Sequence, residues 1–211
     1  MDFERVMRAL EHKGYHAYFA KDCVQAKEIV LDQLLDGVKT LGKGGSTTLR
    51  ESGIWDALVE RDARTDEKHI TLYATTLYKA QGKDPAEALR QGMTADAYIC
   101  SVNAMAEDGT IINIDGIGNR VGAMIYGPQK VIFVVGKNKI FDTFDNAWDH
   151  LKNVTCPYHV KKNGGSAPCA KTGRCMHCSS SHMECKVTSV LSYALPDREY
   201  HVVLVDETLG Y

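Results

Sequence analysis

Asn103 to Pro128 reads NAMAEDGTIINIDGIGNRVGAMIYGP, and this stretch decides the fold. Asp108-Gly109 stands between the run ending at Ala106 and the apolar run Thr110 to Ile114. Its second residue takes positive φ at little cost, so the dipeptide predicts a tight hairpin. Asp115-Gly116-Ile117-Gly118-Asn119-Arg120 then turns the chain into Val121, Ala123, Met124 and Ile125, a small-residue helix. A glycine-rich corner at a helix start presents backbone N–H groups, and here a cation, to an anion. Turn chemistry alone accounts for glycines and Asx residues in such a place equally well. The density of polar groups favours a site: Asn103, Glu107, Asp115, Asn119 and Arg120 sit within a core-like sequence, where an unpartnered polar group is costly.

Working outward, Asp96 to Val102 precedes this stretch and Lys130 to Val135 follows it. Both are near-continuous apolar runs, too hydrophobic for a sheet with one wet face. Alternating with helices, they predict an α/β fold whose open parallel or mixed sheet is flanked by helices on both faces. Upstream, Phe3, Val6, Met7 and Leu10 recur at helical spacing. Tyr15 to Ala20 reads as a strand, Asp22 with Gln25 as a capping box, and Gly37 to Gly42 as a second strand. Glu51 to Glu60 is helical, His69 to Tyr73 a strand, Tyr78 to Lys83 a polar stretch, and Asp84-Pro85-Ala86-Glu87 a helix start. Downstream, Phe144, Ala147, Trp148 and Leu151 form a helical stripe that weakens at Cys156-Pro157. Val187 to Leu191 and His201 to Val205 read as a closing strand pair.

Two further segments bear on function. Gly44-Gly45-Ser46-Thr47 follows a strand and opens a helix, offering N–H donors and hydroxyls to a phosphate or carboxylate, or simply starting the helix. Gly136-Lys137-Asn138-Lys139 lies just past a strand end, where ligands of open α/β sheets collect, and either lysine can neutralise an anion. Neither the GGST turn nor Gly116-x-Gly118 meets the spacing of a P-loop or a dinucleotide fingerprint.

Cys169, Cys175, Cys178 and Cys185 stand as C-x5-C-x2-C-x6-C in a loop with almost no apolar residues. A coreless loop of that length needs something to hold it, and four thiolates around one centre would do so. The spacing suits a zinc ion or an iron–sulfur cluster alike. His177, His182 and Cys156 are secondary donors. The chain accordingly divides into residues 1–165, an α/β domain; 166–187, a cysteine-rich metal or cluster loop; and 188–211, closing strands of the same domain.

With 211 residues, 44% of them hydrophobic, the chain has enough apolar material for one core. A formal net charge of -2 argues against a nucleic-acid role. The amphipathic N-terminus carries no secretory h-region, and no apolar run is long enough to span a membrane, so a cytoplasmic location is expected. In such a reducing compartment, 7 cysteines point to metal or cluster ligation rather than disulfides.

Gly44 to Thr47, Ser101-Val102-Asn103-Ala104, Glu107-Asp108-Gly109, Asp115-Gly116 with Gly118-Asn119-Arg120, and Gly136 with Lys137 to Ile140 resemble, in order and spacing, the LUD domain of the lactate-utilisation family. The likeness runs from the first helix to Gly210-Tyr211. It implies a fold similar to ribose-phosphate isomerases and CoA transferases, with the site at the carboxyl ends of the strands. It also implies an oxidoreductase setting, which tilts the cysteine loop toward a [4Fe-4S] cluster, with zinc as the alternative. Iron–sulfur oxidoreductase subunits and an anionic small molecule would then be partners, and an oligomer is compatible. An independent enzyme of the isomerase or CoA-transferase type is the second expectation. Glu107 would be its base or nucleophile, because Glu107-Asp108-Gly109 resembles the segment that carries the CoA-transferase glutamate. A zinc-stapled interaction module is the third.

Overall fold

The computed structural model describes residues 1–211 and contains ten strands. They are β1 (His16–Ala20), β2 (Thr40–Lys43), β3 (Thr71–Tyr73), β4 (Ala97–Cys100), β5 (Ala104–Ala106), β6 (Ile111–Asp115), β7 (Lys130–Gly136), β8 (Ile140–Phe141), β9 (Val187–Leu191) and β10 (Glu199–Val205). Six of them form a sheet in the order β1-β10-β7-β4-β2-β3, every neighbouring pair parallel. The other four form a smaller mixed sheet in the order β8-β5-β6-β9.

The apolar runs explain why the large sheet is covered on both faces. Along β7, Ile132 and Val134 point into one core with Ile99, Val203 and Val205. Val131, Phe133 and Val135 point into the opposite core with Tyr98, Cys100, Val202 and Leu204. Because successive side chains alternate faces, only a strand apolar at every position can serve both cores. A third, smaller core lies under the second sheet, where Ala104, Ile112 and Ile114 meet Ala147 and Leu151.

The predicted hairpin is β5–β6. Gly109 adopts φ +85°, in the left-handed region that favours glycine, and Asp108 Oδ1 accepts from the Thr110 N–H at 2.8 Å. The helix Phe3–His12 packs against this turn, with Lys13 Nζ 3.1 Å from Asp108 and Arg5 ion-paired to Glu107. The Asp22 cap forms as well, Asp22 Oδ1 accepting from the Gln25 N–H, but the return bond of a capping box goes one residue early, Gln25 Oε1 accepting from the Lys21 N–H.

Three elements differ from the sequence expectation. The closing strand pair does not form. β9 pairs antiparallel with β6 in the small sheet, while β10 inserts between β1 and β7 in the large one. Their burial tells them apart: β10 is buried from Tyr200 to Val205, as a central strand must be, whereas β9 alternates as an edge strand does. The first half of the stretch Tyr78 to Lys83 is the end of a helix, Thr75–Ala80, with Tyr78 turned inward onto Gln91. The helix Phe144–His150 does not stop at Cys156-Pro157. It continues through a wider π-helical turn, Leu151–Thr155, into Cys156–Lys162, so that Pro157 follows directly on the wider turn.

Candidate functional site

β2, β4 and β7 end side by side on one edge of the large sheet, and a cavity of about 540 Å³ opens there. The chain leaving β2 contributes Lys43, Gly45, Ser46, Thr47 and Arg50. The chain leaving β4 contributes Ser101 to Asn103, and the chain leaving β7 contributes Lys139. From the small sheet and the helix after it come Ile114 to Ile117, Asn119 and Arg120. From the C-terminal half come Cys156, His159, Asn163, Cys169, Cys178, Cys185 and Tyr211. Ligands of open parallel sheets bind in the crevice outside the carboxyl ends of the strands.

The GGST turn is a helix start whose hydroxyl is already engaged. Ser46 Oγ accepts from the Leu49 N–H at 3.1 Å, capping Thr47–Glu51. Gly44 lies behind the cavity wall, where an added Cβ would come within 3.1 Å of both Cys100 Cβ and the Tyr98 hydroxyl; Gly45 has open space around it.

The polar corner largely satisfies itself. Arg120 Nη2 lies 2.6 Å from Asp115 Oδ1, 2.7 Å from the Ile114 carbonyl and 3.0 Å from Asn103 Oδ1. Asp115 Oδ2 accepts from the Val121 N–H at 2.7 Å, supplying the helix cap that Gly118 has no side chain to provide. Asn103 Oδ1 also accepts from the Ile114 N–H, while the Asn103 N–H donates to Asn113 Oδ1. These residues therefore brace one wall of the cavity. Arg120 Nε and Asn113 Nδ2 are the atoms of this group left buried without a partner.

Lys139 is different. It is 6% exposed, and its Nζ donates toward Thr48 Oγ1 (2.9 Å), Ser101 Oγ (3.1 Å) and the Val102 carbonyl (3.2 Å), all neutral groups. Burial, and after it the charge of Arg120, pulls its amine down to about 8. Lys43, also on the cavity wall, is drawn down to about 8 by burial and then by Arg50, and its ammonium lies 4.3 Å from the centre of the Trp55 ring. Two desolvated lysines in one cavity give it an affinity for negative charge.

Two expected residues lie elsewhere. Lys137 faces solvent in an ion pair with Asp206 at 3.0 Å. Glu107 is held by Arg5 of the first helix and does not line the cavity.

The cysteine loop borders the same cavity. From Pro168 to Thr188 no residue is buried, yet Cys169, Cys175, Cys178 and Cys185 all turn partly inward while most of their neighbours face solvent. The Cys175 N–H donates to Asn153 Oδ1 at 3.2 Å, and Lys152 Nζ is 3.9 Å from Cys185 Sγ. Burial, and then the neighbouring Cys178, pushes the Cys169 thiol up. Cys156, on the adjoining helix, is pushed up to about 12 by burial and then by Cys185. The thiols are free and neighbouring, and no three His, Cys, Asp or Glu side chains are yet drawn together to metal-holding distance. As a donor set, four soft sulfurs on an otherwise unpacked loop fit an iron–sulfur cluster or zinc.

Sequence reasoning missed Lys43, Arg50, Thr48 and His159. Lys43 and Thr48 directly flank the GGST turn, so their place was within reach. His159 carries no local signal: it reaches the cavity through the helix Cys156–Lys162, where Tyr211 Oη lies 2.9 Å from its Nδ1.

The architecture defines an open α/β protein with a cationic cavity at the carboxyl ends of parallel strands. The sequence matches the LUD domain over residues 3–205. The chain therefore belongs to the LUD domain family, and is a lactate-utilisation-related protein. A solved structure of a DUF162 family protein from Deinococcus radiodurans is similar at 12% identity, covering 97% of this chain and 96% of that one, with a TM-score of 0.48. No curated protein matches. No helix is long and apolar enough to cross a membrane.

Proposed function

We propose that this LUD domain protein binds a small anionic metabolite in the cavity and carries an iron–sulfur cluster on Cys169, Cys175, Cys178 and Cys185 beside it, serving redox metabolism with other iron–sulfur subunits as partners. The observation that carries this reading is that Cys169, Cys178 and Cys185 border the same cavity as Lys139 and Arg120. A [4Fe-4S] cluster would supply one-electron transfer there. The chain's own part is to hold and orient. Lys43 and Lys139 attract the anion. Asn153 fixes the backbone at Cys175, and Lys152 stands beside the sulfur of Cys185. Glu107, engaged by Arg5, is given no chemistry in this scheme.

Purification without oxygen, followed by iron and sulfide analysis and a visible spectrum, tests the cluster. Brown protein whose broad absorption bleaches on reduction, and which loses it in Cys178→Ser, is the expected result. Colourless protein with one bound zinc would overturn the cluster and make the loop a structural staple. Thermal shift with lactate and pyruvate tests the anion separately, since a ligand bound only to the native state raises Tm.

A further inference from the structure

Lys139 is a buried cation whose immediate partners include no acid. Its amine meets two hydroxyls and a carbonyl, and the charge acting most strongly on it is another cation, Arg120. A lysine kept for its charge gains from a carboxylate, or from an aromatic face such as the one Trp55 gives Lys43. Lys139 has neither, and its surroundings favour the neutral, nucleophilic amine, which desolvation and a neighbouring cation together produce. Ser101 and Thr48 suit that role, because a hydroxyl can donate or accept and so can pass a proton to or from a nitrogen that changes its protonation state.

We propose that Lys139 forms a covalent imine with 2-oxo carboxylates bound in this cavity. The inference rests on the anionic-metabolite reading and gives it a substrate class. The neutral Nζ attacks the carbonyl carbon, and the carbonyl π pair moves to oxygen, which takes a proton through Ser101 or Thr48. That oxygen takes a second proton, from solvent, and leaves as water as the nitrogen lone pair forms a protonated C=N bond on Lys139. Ketone, neutral amine and one proton give iminium and water, with no net oxidation or reduction. Lys43 and Arg50 remain as countercharge for the substrate carboxylate. The iminium draws electrons from the neighbouring carbon, easing loss of a proton there.

The test is reductive trapping on the full-length protein. Pyruvate and cyanoborohydride are added near pH 8, where the amine is substantially neutral, and the product is read by intact mass and peptide mapping. One adduct per chain is expected, heavier by one pyruvic acid less one oxygen atom and mapped to Lys139. Lactate, which lacks the carbonyl, should leave none. No adduct, an adduct on Lys43, or label scattered over surface lysines overturns the proposal, and none of these outcomes depends on a variant that must fold. Thermal shift separates the two readings. If pyruvate stabilises the protein without being trapped, the imine alone fails; if it neither stabilises nor traps, the anionic-metabolite reading fails with it.

Discussion

Replacing Asp115 by Ala removes one half of a buried ion pair and one helix cap. The side chains of Asp115 and Arg120 are 6% and 13% exposed, and their contact is 2.6 Å. Deleting one partner of a buried pair costs roughly 3–5 kcal/mol, because the other charge is left uncompensated. Losing the bond to the Val121 N–H adds about 1 kcal/mol. With a urea m-value of about 3 kcal/mol/M, a combined loss of about 5 kcal/mol lowers the midpoint by roughly 1.7 M at unchanged slope. Asp115→Asn keeps an acceptor for Val121 and should lose less, so the difference between the two variants reports the cap. Asp115→Ala combined with Arg120→Met should recover most of the loss, since removing both charges strands neither. Equilibrium urea denaturation followed by circular dichroism measures the parent, these three variants and Arg120→Met alone. If Asp115→Ala moves the midpoint by less than about 0.3 M, or if the double variant loses the full sum of the singles, the claim that this corner is a desolvated, mutually dependent brace is wrong.

Lys139 makes stability depend on alkaline pH. An unfolded lysine titrates near about 10.4, and in the fold this one titrates at about 8. The cost of the buried ammonium is borne in full below pH 8 and relieved as pH rises toward the unfolded value, so stability should climb across that window. The climb should be smaller in Lys139→Met, as read from Tm between pH 7 and pH 10. Tyr200→Phe deletes a buried bond in which the tyrosine hydroxyl donates to the Met124 carbonyl at 2.8 Å, and should cost about 1–2 kcal/mol in chemical denaturation. A neutral outcome would mean that the carbonyl finds another donor. Alkylation of native, metal-free protein with iodoacetamide should modify Cys175 and Cys178 well before Cys100, which is fully buried and pushed up to about 12. Early labelling of Cys100, read by mass spectrometry, would show that the sheet opens locally.

Local chemistry made much of the fold legible. Asp108-Gly109, Asp22 with Gln25, and Asp84 before Pro85 each specify a turn or cap through atoms a few residues apart, and each is found as the sequence implies. The missed features are non-local. Nothing within Val187–Leu191 or Glu199–Val205 says that the two strands enter different sheets, because that depends on which edges other segments leave open. The Thr75–Ala80 helix has no strong cap and shows little apolar pattern apart from Tyr78. At the site, the sequence grouped Asn103, Glu107, Asp115, Asn119 and Arg120, of which Asn103, Asp115 and Arg120 bond together while Glu107 pairs with Arg5 away from the cavity. It did not show that those three spend their hydrogen bonds on one another, nor that Lys139 would be left among hydroxyls while Lys137 found Asp206.

The position of β10 also governs how the molecule can assemble. It is the strand furthest along the chain, yet it separates β1 from β7, and it pairs with both along its length. Until Glu199 to Val205 dock, the strand nearest the N-terminus has no partner in the sheet, and β7, one of the most apolar segments, presents a bare edge. Contacts of such long sequence separation form slowly, and an unpaired apolar edge invites pairing with another chain. The final docking of β10 is thus the step at which refolding and aggregation compete. Refolding yield should therefore fall as protein concentration rises, well before the native state itself loses stability.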